Sequence, residues 1–145
     1  MKKIVLLFLL LAVNGYSQNT IWYEDFSSYS NGLTTGTDSR WTTSCTGCST
    51  SSSNDYFETF GNAFAGRDMD GTGVWTTEAI SISAYTNVSI SVDVQDLGNP
   101  DPNDTIRVSY STNGTNYSTL TNGEFTDDIT GVQSATASGI SGTNL

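Results

Sequence analysis

The chain has 145 residues, the length of a single domain, and histidine is absent from it. The absence of imidazole excludes Ser-His-Asp and Cys-His catalytic groups and zinc sites that depend on histidine ligands. The sequence contains five basic and fifteen acidic residues. This balance would repel phosphate backbones, so we expect no nucleic-acid partner. The chemistry that stays open uses carboxylates, as in glycoside hydrolysis, or calcium.

Residues 1–17 have the parts of a secretory signal peptide. Lys2 and Lys3 precede an apolar run over 4–13, and small residues follow it before a cleavage site at Gln18. An apolar run of this length is too short to span a bilayer. We therefore predict an extracellular or cell-surface protein that meets the membrane only during export.

The mature chain, 18–145, is predicted to fold as one β-domain. It keeps three arginines against fifteen carboxylates, a formal net charge of −12, which suits an extracellular protein or one that gathers divalent cations. Period-two alternation recurs along it, and helical periodicity does not. Short strands joined by Gly, Asn, Asp and Ser turns favour an all-β, antiparallel two-sheet sandwich. The predicted strands, in chain order, are 21–26, 55–60, 62–68, 74–82, 87–95, 105–111, 116–120 and 129–139.

Two of these elements carry the strongest local signals. The alternation is clearest over 87–95, NVSISVDVQ, whose valine and isoleucine side chains share one face. An Asn-Gly pair at 113–114 predicts a tight two-residue turn between the strands 105–111 and 116–120.

The longest stretch without strand alternation is 27–54. It contains Cys45-x-x-Cys48, which in a cytosolic protein would suggest a redox motif or half of a zinc site. In an exported chain with no second pair, a local disulfide is favoured, and its small loop should stabilise the fold only modestly. Tyr29 and Trp41 lie in the same stretch, and as loop aromatics they are the best candidates to stack on sugar rings. The other aromatic residues are expected mainly in the core.

Several stretches of the chain resemble a known family. They are YEDFSSY at 23–29, DYFE at 55–58, VWTTEAISISAYTNVSISVDV at 74–94 and DTIRVSYSTNGTNYSTL at 104–120. Together they resemble the jelly-roll modules of large secreted proteins of gliding-type Bacteroidetes, whose relatives include concanavalin A-like, MAM-like and carbohydrate-binding sandwiches. The resemblance implies a jelly-roll topology and export by type IX secretion. Since the sequence stops at SGTNL, where another strand is expected, we predict a sandwich that is incomplete at its C-terminus and belongs to a larger protein.

A first candidate calcium site contains Asp68 and Asp70 in the turn DMDG. This turn lacks the third oxygen donor and the final glutamate of an EF-hand loop. The two residues form either an ordinary hairpin turn or, with Glu24 or Asp25 from the first predicted strand, a calcium site on the sandwich.

The loop DLGNPDPND at 96–104 is a second candidate calcium site. Its hard oxygen donors, with Asp96, Asp101 and Asp104 as the charged ones, suit Ca²⁺ better than a softer metal. Asp, Asn, Gly and Pro are also the ordinary residues of a solvated turn, and both interpretations stay open.

The sequence favours a non-catalytic module that binds a polysaccharide or a cell-surface glycan, or acts in adhesion, with calcium as the one cofactor considered. A carboxylate-dependent glycoside hydrolase or polysaccharide lyase is the alternative, with Glu78 as the residue to test. The ExDxxE signature of jelly-roll glucanases is absent from the sequence. A structural spacer is the third hypothesis.

Overall fold

The computed structural model describes residues 18–48, 54–96, 98, 104–126 and 129–145. The predicted signal peptide, 1–17, lies outside these residues. Within them the chain is all-β, with a single 3-10 turn at Thr37–Ser39 and no α-helix. The part of the chain that is described accordingly contains no helix with the length and hydropathy needed to cross a membrane.

In the described residues, eight antiparallel strands form three hydrogen-bonded sheets: β1 with β4, β2 with β3, and a four-stranded sheet in the order β5-β8-β7-β6. The prediction of an all-β, antiparallel fold is confirmed, and the arrangement is consistent with a β-sandwich. The strands are β1 (Trp41–Thr46), β2 (Tyr56–Phe60), β3 (Ala63–Arg67), β4 (Thr72–Thr77), β5 (Val88–Gln95), β6 (Ile106–Tyr110), β7 (Ser118–Phe125) and β8 (Val132–Ile140).

The two small sheets pack through an aromatic cluster, Phe26, Tyr29, Trp41, Phe64 and Trp75. Trp41 is completely buried, and its ring centroid lies 5.5–6.2 Å from those of the other four residues. Most of these contacts are edge-to-face, the geometry that aromatic quadrupoles favour. β1 and β4 each contribute a tryptophan and β3 a phenylalanine, so the cluster joins the two sheets.

A separate aliphatic cluster, Ile82, Val88 and Ile140, lies beside the four-stranded sheet. It is supported by β5, in which valine and isoleucine alternate with exposed polar residues as the sequence predicted. The end of the chain runs beside Ile82, since the backbone N–H of Ile82 donates to the carbonyl of Thr143 at 2.9 Å.

The predicted strand 21–26 is not a strand. The backbone N–H of Phe26 donates to Glu24 Oε1 and that of Ser27 donates to Asp25 Oδ1, each at 3.0 Å. Phe26 also has a left-handed φ of 59°. Carboxylates that bond nearby amides compete with a strand ladder, and here they fold the segment into a turn that inserts the Phe26 ring into the aromatic cluster.

The stretch 27–54, predicted as a loop, contains β1. Its sequence WTTSCT has only Trp41 as a large apolar residue and exposes most of its other side chains, so it shows no apolar alternation. β1 is held instead by regular pairing with β4, from Trp41 opposite Thr77 to Thr46 opposite Thr72.

Candidate functional site

A cavity of about 260 Å³ lies between the loop joining β6 to β7 and the end of β8. Its lining is uncharged and rich in hydroxyl and amide groups, with one aromatic ring. The side chains with chemistry to offer a ligand are Tyr110, Thr112, Asn116, Ser118, Ile140 and Ser141.

The loop beside the cavity spans 111–117, because Tyr110 pairs with Ser118. The prediction of a two-residue turn at 113–114 is therefore wrong. Asn113 Oδ1 accepts hydrogen bonds from the backbone N–H of Thr115 at 3.0 Å and of Asn116 at 2.8 Å. An asparagine that bonds amides two and three residues ahead stabilises a wider turn than the Asn-Gly hairpin.

Ser111 completes this loop from the other side. Its hydroxyl accepts hydrogen bonds from the backbone N–H groups of Gly114 at 2.9 Å and Asn113 at 3.3 Å. Ser111 and Asn113 therefore hold the loop in its turn conformation through local hydrogen bonds.

Four other polar side chains of the cavity form no hydrogen bond within the described part of the protein. Within the described residues, no hydrogen bond to another protein group engages the side chains of Thr112, Asn116, Ser118 or Ser141. The cavity wall thus offers three hydroxyl groups and one amide to a ligand.

Two larger side chains lie beneath the cavity, whose accessible lining is mainly polar. Ile140 is 5% exposed and belongs to the aliphatic cluster, and Tyr110 is half-buried against the same cluster. Because Ile140 packs in the core, it offers almost no surface to a ligand, and the half-buried ring of Tyr110 is the main apolar group of the cavity.

Trp41 does not form the predicted sugar-stacking platform. It begins β1 and has no exposed surface, so its ring cannot meet a sugar. Tyr29 is half-buried, and its hydroxyl donates to Glu24 Oε2 at 3.0 Å. Stacking of a sugar on Tyr29 stays a prediction.

The acidic residues of the N-terminal segment have protein partners. Glu24 accepts bonds from Tyr29 and from the Phe26 backbone and lies 3.9 Å from Arg40 Nη1. Asp25 accepts bonds from the Ser27 backbone N–H and hydroxyl, and these bonds hold the pKa of its carboxyl below the ordinary value.

Asp68 and Asp70 lie between β3 and β4, and Asp68 Oδ2 is 3.6 Å from Arg67 Nε. No three acidic or thiol side chains come close enough to hold a metal ion anywhere in the described ranges. Asp68 and Asp70 are therefore not seen grouped with Glu24 or Asp25 in these ranges, and calcium binding by Asp68 and Asp70 stays a prediction. Because β3 and β4 are successive strands, the DMDG stretch serves as their connection.

The second predicted calcium site is described only in part. Asp96 Oδ1 accepts the backbone N–H of Gly98 at 2.7 Å, and Asp104 lies just before β6. Asp101 falls outside the described residues. Calcium binding at 96–104 stays a prediction.

The predicted disulfide is confirmed. Cys45 in β1 is bonded to Cys48, with 5.7 Å between their Cα atoms. It closes a loop at the end of β1 that packs against Gly71 of the β3–β4 connection.

Arg40 ties the N-terminal segment to the end of β4. Its Nη2 donates to the carbonyl of Tyr23 at 2.8 Å, and its guanidinium lies 5.1 Å from the Trp22 ring centroid. Glu78, the candidate for catalysis, lies 3.9 Å from Arg40 Nε and accepts the Trp22 indole N–H at 3.2 Å. Glu78 is thus part of this network, and catalysis by Glu78 stays a prediction.

We expect Arg40→Ala to lower the free energy of unfolding by about 1–2 kcal/mol, because it removes a charge-assisted bond and leaves Glu24, with a side chain 5% exposed, without its cation. Arg107→Ala is the matched control. It breaks the exposed 2.8 Å pair with Glu124 and should cost about 0.2–1 kcal/mol. Urea unfolding measures both, and equal losses would contradict a special role for Arg40.

Sequence reasoning missed the cavity. Its walls come from 110–118 and 139–141, which are far apart in the chain, and the Asn-Gly signal indicated a shorter turn. The concentration of Ser, Thr, Asn and Tyr over 109–118 was the one available signal.

No family model, curated protein or solved structure matches the chain.

Proposed function

We propose that this chain is an exported, non-catalytic jelly-roll module that binds a glycan, within a larger secreted or cell-surface protein. The observation that supports this proposal is the cavity formed by Tyr110, Thr112, Asn116 and Ser118. Neutral hydrogen-bonding groups dominate the lining there, beside the half-buried ring of Tyr110.

This combination suits carbohydrates for a chemical reason. A pyranose ring presents hydroxyl groups around its edge and C–H groups on its faces. Small hydroxyl and amide side chains provide adaptable hydrogen bonds, and a tyrosine provides rigid amphipathic surface.

The proposal predicts that the purified chain is retained on at least one immobilised glycan, and that Asn116→Ala weakens this binding about tenfold. The alanine removes an amide able to make two hydrogen bonds, each contributing about 0.5–1.5 kcal/mol. Affinity electrophoresis or a glycan array measures the effect, and far-UV circular dichroism checks that the fold is kept.

Thr119→Ala is the control, because Thr119 lies on β7 outside the lining of the cavity. Retention on no glycan, or equal retention of the wild type and Asn116→Ala, would contradict the proposal. Release of reducing ends from a polysaccharide, lost in Glu78→Gln, would favour the hydrolase instead.

A further inference from the structure

We infer that the cavity receives one uncharged pyranose residue, so that the ligand is a neutral glycan recognised without ionic contacts. This inference rests on the proposed function and names the ligand class of the same site. Three observations support it: the charge of the lining, the pairing of the chain's cations and the size of the cavity.

The lining contains no charged side chain. Uronic acids and sulfated sugars are normally bound by arginine or lysine, since an anion removed from water needs a charged partner. Tyr110, Thr112, Asn116 and Ser118 can match hydroxyl groups but cannot neutralise an anion.

Outside the cavity, the arginine side chains that could bind an anionic ligand are already paired with carboxylates. The sequence contains no lysine after Lys3, and its arginines are at 40, 67 and 107. Arg40, Arg67 and Arg107 each lie within 3.9 Å of a carboxylate. With a formal net charge of −12 over 18–145, the chain should repel a polyanion at long range.

The size of the cavity indicates one sugar ring. Its volume, about 260 Å³, falls below the range of about 300–1,000 Å³ typical of drug-sized ligands. A hexose has about twelve non-hydrogen atoms, and at ordinary ligand efficiency the expected dissociation constant is on the order of a millimolar.

The orientation of the sugar follows from the lining. One C–H face would rest on the half-buried ring of Tyr110, and the ring hydroxyls would meet Thr112, Asn116 and Ser118. Recognition would then depend on which hydroxyls are equatorial. A free neutral monosaccharide should therefore be enough to displace the glycan from the cavity.

The test is saturation-transfer NMR on the full chain with neutral hexoses and N-acetylhexosamines, alongside an array holding neutral, uronate-containing and sulfated polysaccharides. We expect transfer to at least one neutral monosaccharide and retention on polymers that contain it. We also expect no retention on polyanions, and affinities that change less than twofold between low and high salt.

Ser118→Tyr and Thr119→Tyr form a matched pair of variants. Successive strand residues point to opposite faces, and only Ser118 lines the cavity. The Ser118 variant should fill the cavity and abolish saturation transfer, whereas the Thr119 variant should bind as the wild type does.

The outcomes separate the inference from the proposed function. Preferential, salt-sensitive retention on polyuronates or sulfated glycans would overturn the inference and leave glycan binding standing. Binding to a neutral glycan that survives Ser118→Tyr would overturn the assignment to this cavity. Retention on no glycan at all would overturn both.

Discussion

Replacing Trp41 with alanine is expected to lower the free energy of unfolding by about 3–5 kcal/mol. Trp41 is the largest fully buried side chain among the described residues, and its ring centroid lies within 6.2 Å of those of Phe26, Tyr29 and Trp75. Removing it leaves a cavity where the two small sheets meet, and the rigid neighbouring rings would refill that space poorly.

The effect is best measured by guanidinium unfolding followed by far-UV circular dichroism. Tyr117→Ala is the matched control, since Tyr117 is 63% exposed and its removal should change stability by less than about 0.5 kcal/mol. A loss below about 1 kcal/mol in Trp41→Ala would contradict the central role of this ring.

Trp41→Phe should cost less than the alanine variant. Within the described residues, the buried Nε1 of Trp41 has no hydrogen-bond partner, and an unpaired buried donor costs about 1–3 kcal/mol. Phenylalanine removes that donor while keeping an aromatic ring in place.

Replacing Gly71 with alanine is the second large effect, and we expect it to destabilise the fold by about 3 kcal/mol. A Cβ at this position would meet three backbone atoms of the disulfide loop: Thr46 O, Gly47 C and Cys48 N. Backbone cannot rotate away as a side chain does, so the β3–β4 connection or the loop must move.

Thermal melting measures the loss, and thiol titration after refolding shows whether the Cys45–Cys48 bond still forms. Gly98→Ala is the control, because its nearest neighbour would be a side-chain oxygen 3.7 Å away, an ordinary contact. If both variants have the same melting temperature as the wild type, the close approach at Gly71 is not needed for stability.

The Gly71 contact also gives the DMDG turn a role that the sequence did not indicate. Two aspartates beside a glycine suggested a cation site, but the part of this turn with a steric role is the glycine. Its function depends on the backbone of residues 46–48, twenty-three or more positions earlier in the chain, and no local pattern reveals such an approach.

Elements whose structure depends on local pattern were predicted well. β5 follows from period-two alternation, and β2 and β3 lie within the predicted strands 55–60 and 62–68. β1 was missed because its partner strand, rather than its own composition, determines it. The segment 21–26 was misassigned because Glu24 and Asp25 bond the next amides instead of extending the chain.

The candidate site was the least predictable part. Trp41 seemed available for binding because it lay in an apparent loop, and it is buried because that stretch contains β1. The cavity at Tyr110 depends on the wide loop that Asn113 stabilises and on the distant end of β8. Those two conditions are tertiary, so sequence alone could indicate only a region rich in suitable side chains.

The separation of the aromatic and aliphatic clusters affects how unfolding of this protein can be observed. The sequence contains three tryptophans, and Trp41, Trp75 and Trp22 all lie in or against the aromatic cluster, with Trp22 6.3 Å from Trp75. Intrinsic fluorescence therefore reports the half of the molecule built on β1–β4. The four-stranded sheet, with the cavity at its end, contains no indole in its described residues and needs backbone dichroism or tyrosine signals to be followed.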